Sequence, residues 1–288
     1  MKYYLKYIQG NYVSSDAIHL DIGSILHKGL EIKYRNIIEG IDTDYDALIL
    51  NIMEGIAEDT EKDKGNLIIG INSIKEKYGD NSFVEINEKS NLSYNDKLNT
   101  YFAYIKEDTL EDGWKPLAVE QDFEFVYADR CVLNGFIDRI DINDEGELRV
   151  VDYKSSNKLF EYKDLTTPLQ MFIYALACEE IYGKRPIEYE YDMILLGEKQ
   201  SACTKGYYNR GVKKLNKILD SIEESTVNGE WKPKATPLCY WCDYSNTNPN
   251  APFYTSDLCD YYLLWEPNNK TFEKNKEFIV KSIDGLEF

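Results

Sequence analysis

Apolar residues recur at helical spacing in "SDAIHLDIGSILHKGLEIKYRNIIEG" (15–40), where Leu20, Gly23, Leu26, His27, Leu30 and Tyr34 share one side of a helix that Ser15 or Asp16 can cap. Segments at about 43–59, 66–79 and 94–111 keep the same period and predict further helices, joined by the polar links "EDTEKDKG" and "INEKSN". The period then falls to two. "VEQDFEFVYA" alternates, and strands are expected at about 117–127, 131–142 and 147–154, the last two joined by the turn "NDEG". A helix at about 166–182, a strand at 187–196 and a helix at 206–224 complete an α/β core. The tail from 266 to 288 predicts no element. "GNLIIGI" has two glycines at phosphate-loop spacing but Ile71 where the lysine must stand, so no nucleotide cofactor is expected.

A chain of 288 residues, 43% hydrophobic and 29% charged, suits one large domain or a domain with a sizeable insertion. Its apolar runs are too short to span a membrane and it opens with no secretory pattern, so a cytoplasmic location and no membrane partner are expected. The net charge of −18 opposes contact with polyanions. One stretch runs the other way: from Lys199 to Lys217 there are six basic residues and no acid. Arg210, Lys213, Lys214 and Lys217 recur there at helical spacing, with Tyr207 and Tyr208 close by. Such a row is either a solvated helix face or a set of contacts to a nucleic-acid backbone with tyrosines for base stacking. The six cysteines do not read as a disulfide framework, and Cys131, Cys178 and Cys203 are most simply buried thiols.

The strand around "VVDYKSS" raises the question of chemistry, because Asp152 and Lys154 leave the same face of it together. A surface ion pair is one reading. The other emerges when four pieces are taken in order: His27 in "GSILHKGLE", Asp138 in "GFIDRID", Asp152 and Lys154 in "VVDYKSS", and Gln170 and Tyr174 in "LQMFIYALA". With these pieces the chain resembles the RecB-like branch of the PD-(D/E)xK nuclease superfamily, which includes the nuclease domains of RecB and AddB and CRISPR-associated exonucleases. The resemblance covers about residues 5–265. It implies a restriction-endonuclease-like core with a mixed central sheet flanked by helices, plus a helical insertion. It further implies Asp138, Asp152 and His27 as ligands of Mg2+ or Mn2+, the Tyr153 carbonyl as another, and Lys154 as the group that orients water or stabilises developing charge. Gln170 and Tyr174, one helical turn apart, would border the site. Glu120, in "AVEQDFEF", matches an acidic position that some members place near it. Divalent cations fit the chemistry, since phosphodiester hydrolysis needs a nucleophilic water and charge stabilisation, and hard cations take carboxylate oxygens.

Cys239 and Cys242 form a C-x-x-C with Cys259 downstream, a spacing that favours an iron–sulfur cluster or zinc over ordinary thiols. Many of the RecB-like nucleases that the chain resembles build an iron–sulfur site from three such cysteines and one upstream of the histidine helix. No cysteine precedes His27 here, and the family's N-terminal cysteine segment is expected to be absent. The expected organisation is a single nuclease domain over 1–265, with a helical arm at about 40–112, a core at about 15–39 and 113–230, a cysteine-bearing segment at 231–265, and a tail at 266–288. The expected function is that of a metal-dependent DNA exonuclease acting on ends or single strands in recombination, repair or phage DNA processing, beside a recombination-protein partner. The alternatives are a non-catalytic DNA-binding or scaffolding subunit of a recombination complex and an acidic protein-interaction module.

Overall fold

The computed structural model describes residues 4–10, 18–57, 67–86, 92–156, 158–166, 168–203, 205–231, 242 and 244. The chain divides into two compact units, Asp16–Leu219 and Met1–Ser15 with Asp220–Phe288. In the second, a π-helical turn covers Tyr4–Ile8. The tail at 266–288 and two of the three clustered cysteines, Cys239 and Cys259, lie outside the described residues.

The larger unit opens with helix α1, Ile18–Glu39, followed by α2, Tyr45–Glu54, which Asp44 caps by accepting from the Asp46 and Ala47 amides. Two strands stand where only helix was expected, β1 at Gly55–Ala57 and β2 at Leu67–Ile69. They pair antiparallel with Gly55 opposite Ile69. Gly55 stops the helix at φ 120°, and Gly70 lies so close that an added Cβ would fall 2.3 Å from the Gly55 nitrogen. Gly70, the second glycine of the phosphate-loop-like stretch, therefore serves a backbone-to-backbone contact. Helices α3 (Ile71–Tyr78), α4 (Asn81–Val84) and α5 (Tyr94–Glu107) follow, the last closed by a Ser93–Asp96 capping box.

Strands β3 (Trp114–Tyr127), β4 (Cys131–Asn143) and β5 (Leu148–Tyr153) form an antiparallel meander. The helix expected at 166–182 is α7 (Leu169–Tyr182), which starts after Pro168, whose missing N–H suits a helix start, and a short unexpected helix, α6 (Tyr162–Thr166), precedes it. Helix α7 carries the chain across to β6 (Glu188–Met193), which pairs parallel with β5. An unexpected strand, β7 at Glu198–Ser201, then adds antiparallel to β6. Its "EKQS" has no apolar alternation, as suits a sheet edge. Helix α8 spans Tyr207–Asn228.

The result is a five-stranded mixed sheet in the order β3-β4-β5-β6-β7 with helices on both faces, the architecture expected of the sequence. Side-chain alternation along β5 divides the core. Val151 and Tyr153 pack with α1, α2, α3 and α5, whereas Leu148 and Val150 pack with α7. Phe172 of α7 makes a third cluster with Leu215 and Leu219 of α8.

Candidate active site

Helix α1 is held against the sheet by residues without bulk. Gly23 faces Ser155, just after β5, and an added Cβ would sit 3.5 Å from its Oγ. Gly29 lets α2 and α5 approach, and Tyr101 of α5 donates to the Leu26 carbonyl at 2.6 Å. His27, between these two glycines, is thereby presented to the strands. Its Nδ1 lies 3.6 Å from Asp138 Oδ1, and its ring stands edge-on to Tyr153.

Asp138 is fixed from the other side. Its Oδ2 accepts the Tyr153 amide at 2.7 Å, tying β4 to the end of β5. Glu120 lies across from it on β3, between the paired positions Val119↔Arg139 and Gln121↔Ile137. Its backbone is left-handed, with φ 45°, a conformation that costs a non-glycine residue about 1–3 kcal/mol. His27, Glu120 and Asp138 each offer a ligand atom, all within 4.8 Å of one another. They line a cavity of about 460 Å³ with Gly23, Lys28 and Ser155.

Asp152 and Lys154 leave β5 toward α7. Lys154 Nζ is 2.5 Å from Asp152 Oδ2 and donates to Gln170 Oε1 at 3.1 Å. Gln170 in turn donates to the Tyr174 hydroxyl at 2.8 Å, and that hydroxyl reaches Asp152 Oδ1 at 3.4 Å. Asp152, Lys154, Gln170 and Tyr174 thus close a ring of contacts, and the close three-donor group around His27 does not itself include Asp152. On the far face of the sheet the Tyr153 ring is buried, and its hydroxyl accepts from Arg139 at 2.8 Å.

The electrostatics follow from crowding of acids in a partly dry place. Burial, and then the charge of Asp138, push Glu120 up to about 7. The same two causes push Asp152 up to about 6 against the pull of Lys154. Burial alone would lower His27, but Asp138, with Glu120 and Asp152 behind it, outweighs burial and raises it. A carboxyl at Glu120 whose ionisation is held back by burial and a neighbouring acid, set beside an imidazole and a second carboxylate, fits a hard divalent cation, whose charge would favour the ionised form.

The basic stripe behaves differently. Arg210, Lys213, Lys214 and Lys217 are all exposed on α8. Tyr207 and Tyr208 are committed within the fold: the Tyr207 hydroxyl meets that of Tyr189, and Tyr208 has Arg185 3.6 Å over its ring and Phe172 edge-on. Arg210 donates to the carbonyls of Lys205 and Thr166. Among the described residues no helix is long and apolar enough to cross a membrane. Cys242 is half-buried, and its proposed partners Cys239 and Cys259 are not described.

A family model of the PD-(D/E)XK nuclease superfamily matches residues 1–247. An ATP-dependent helicase/deoxyribonuclease subunit from Streptococcus uberis is 37% identical over 70 residues, 23% of this chain and 6% of that protein. Proteins of the same name from Streptococcus agalactiae serotypes Ia and V are each 30% identical over 206 residues, 65% of this chain. The chain spans only 16% of the length of those two relatives. Because the family model covers most of the sequence and the whole of the sheet, the chain belongs to the PD-(D/E)XK nuclease superfamily.

Proposed function

We propose that this chain is a metal-dependent deoxyribonuclease, working as an exonuclease on DNA ends or single strands during recombination, repair or phage DNA processing. One observation carries the reading: a three-donor group, His27, Glu120 and Asp138, stands beside the Asp152–Lys154 pair at the end of a core strand. His27, Glu120 and Asp138 would hold Mg2+ or Mn2+, with the Tyr153 carbonyl and Asp152 as further oxygen donors. Such a cation supplies an activated water and offsets charge on the phosphate. The chain's own residues do the rest. The Tyr153 amide fixes the direction of Asp138. Asp152 and Gln170 hold the Lys154 ammonium, a preorganised positive charge for the developing negative one. Tyr174 braces both Gln170 and Asp152. The relatives' name, which makes each of them one subunit of a helicase/deoxyribonuclease, supports an assembly in which another chain drives the DNA. An iron–sulfur cluster or zinc on Cys239, Cys242 and Cys259 would need a fourth ligand.

Digestion of linear and circular DNA in Mn2+ or Mg2+ tests the proposal. Wild type should degrade the linear form and spare the circle, and Asp138→Ala should degrade neither. Asp152→Ala and Lys154→Ala should each be inactive, with effects that do not add, because the groups act as one unit. Wild-type protein that binds DNA but never cuts it would instead be the scaffolding subunit.

A further inference from the structure

The outer face of the β3–β4 hairpin is open next to the site. Phe123, Phe125, Leu133 and Ile137 turn inward to the cores, while Asp122, Glu124 and Val126 on β3 and Val132, Asn134 and Phe136 on β4 are exposed. The register pairs the outward residues as Val126↔Val132, Glu124↔Asn134 and Asp122↔Phe136. One more step along the ribbon reaches Glu120 and Asp138. Phe136 is therefore two residues from a proposed cation ligand, about 6.6 Å along the strand. It is 58% exposed, an unfavourable state for so large an apolar ring. Its direction is built in: Gly135 settles on Phe123, where an added Cβ would lie 3.0 Å from the ring, and alternation then turns Phe136 outward.

We propose that Phe136 is a stacking platform for the base of the nucleotide beside the scissile phosphate in a single DNA strand, an inference that rests on the nuclease reading above. Continuity with Glu120 and Asp138 places the ring within a nucleotide's reach of the reacting phosphate. Charge supports the same occupant. Asp122 and Glu124 make the β3 side of the ribbon hostile to phosphates, whereas Phe136, Asn134 and Val132 offer an uncharged β4 side. A base face suits that side and a sugar–phosphate backbone does not. Stacking of this kind tolerates any sequence, because every base has a π-face. Phe136 would thus set the preference for unpaired over paired ends without taking part in bond cleavage.

The test uses a single-stranded oligonucleotide with a fluorescent adenine analogue at its end, bound in Ca2+, and steady-state cleavage in Mn2+. Wild type should quench the analogue on binding, Phe136→Trp should also quench it, and Phe136→Ala should not. Phe136→Ala should raise KM for the single strand by about 5- to 150-fold, the range expected for loss of one stacked base, with kcat little changed. Its hydrolysis of bis(p-nitrophenyl) phosphate, which has no base, should equal that of wild type. Equal quenching and equal KM in wild type and Phe136→Ala would overturn the inference while leaving the nuclease reading intact. A wild-type protein that neither binds nor cuts DNA would sink the nuclease reading and this inference together.

Discussion

Glu120 is held in a left-handed backbone between two regular ladder pairs, and the carboxylate it presents is reluctant to ionise. A divalent cation bound there must displace a proton whenever the pH lies below about 7, the value to which burial and Asp138 raise this group. Cation affinity should therefore rise with pH through about 7 as Glu120 ionises, and the raised His27, which must also lose its proton to bind, adds to the rise. Titration calorimetry with Mn2+ in buffers of different ionisation enthalpy would show proton release below that point. Glu120→Gln should weaken binding and remove the Glu120 share of the proton release, leaving that of His27, and an unchanged release would exclude Glu120 from the cation's shell. At this scale Asp138, Asp152 and Lys154 stood out as candidates because their motifs come in the family's order with those of His27, Gln170 and Tyr174. Glu120 was legible only through the family resemblance, since "VEQDFEFV" reads as an uninterrupted strand and nothing local signals the positive φ that distinguishes it.

Helix α1 reaches the sheet only because α5 and α2 close over Gly29, where a Cβ would fall 2.5 Å from the Tyr101 hydroxyl oxygen and 2.7 Å from Ile52 Cδ1. Gly29→Ala should destabilise the fold by about 1–3 kcal/mol, the usual penalty for overpacking, and this would appear as a lowered Tm. Cation binding should weaken too, since His27 is only two residues away. A variant as stable as wild type, with unaltered affinity, would show that α1 can shift without consequence. The long helices were legible from periodicity, and α5 from Ser93 and Asp96 at its start. The short pieces were not. "LII" suits helix or strand alike, and only pairing with Gly55–Ala57 decides. The polar "EKQS" becomes β7 because β6 offers it an edge, which is tertiary information.

The whole molecule is strongly acidic, at −18, yet its proposed substrate is a polyanion. Attraction must then come from a local face, and the exposed Arg210, Lys213, Lys214 and Lys217 on α8 are the candidate. Reversing Lys213 and Lys214 to Glu should weaken single-strand binding and flatten the dependence of log K on log salt by at least about 1.4, the contribution of two lost phosphate contacts. An unchanged slope would return the helix to the status of a solvated face. Composition made the acidity legible, and periodicity found the stripe, but neither could reveal that Tyr207 and Tyr208 are occupied inside the fold. The divided core has a further consequence, for the order in which the site assembles. Asp138 and Asp152 lie on the β4–β5 hairpin, close in sequence, and Ile140, Leu148 and Val150 of that hairpin pack with α7, whereas His27 joins them through long-range contacts such as Tyr34 with Tyr153. Contacts of that kind form late and open early, because closing the longer loop costs more entropy. Lifting α1 alone would leave a folded sheet without a complete seat for the cation. The fraction of competent molecules is then governed by a local docking equilibrium, and a bound cation would act as the clasp that holds the two halves of the core together.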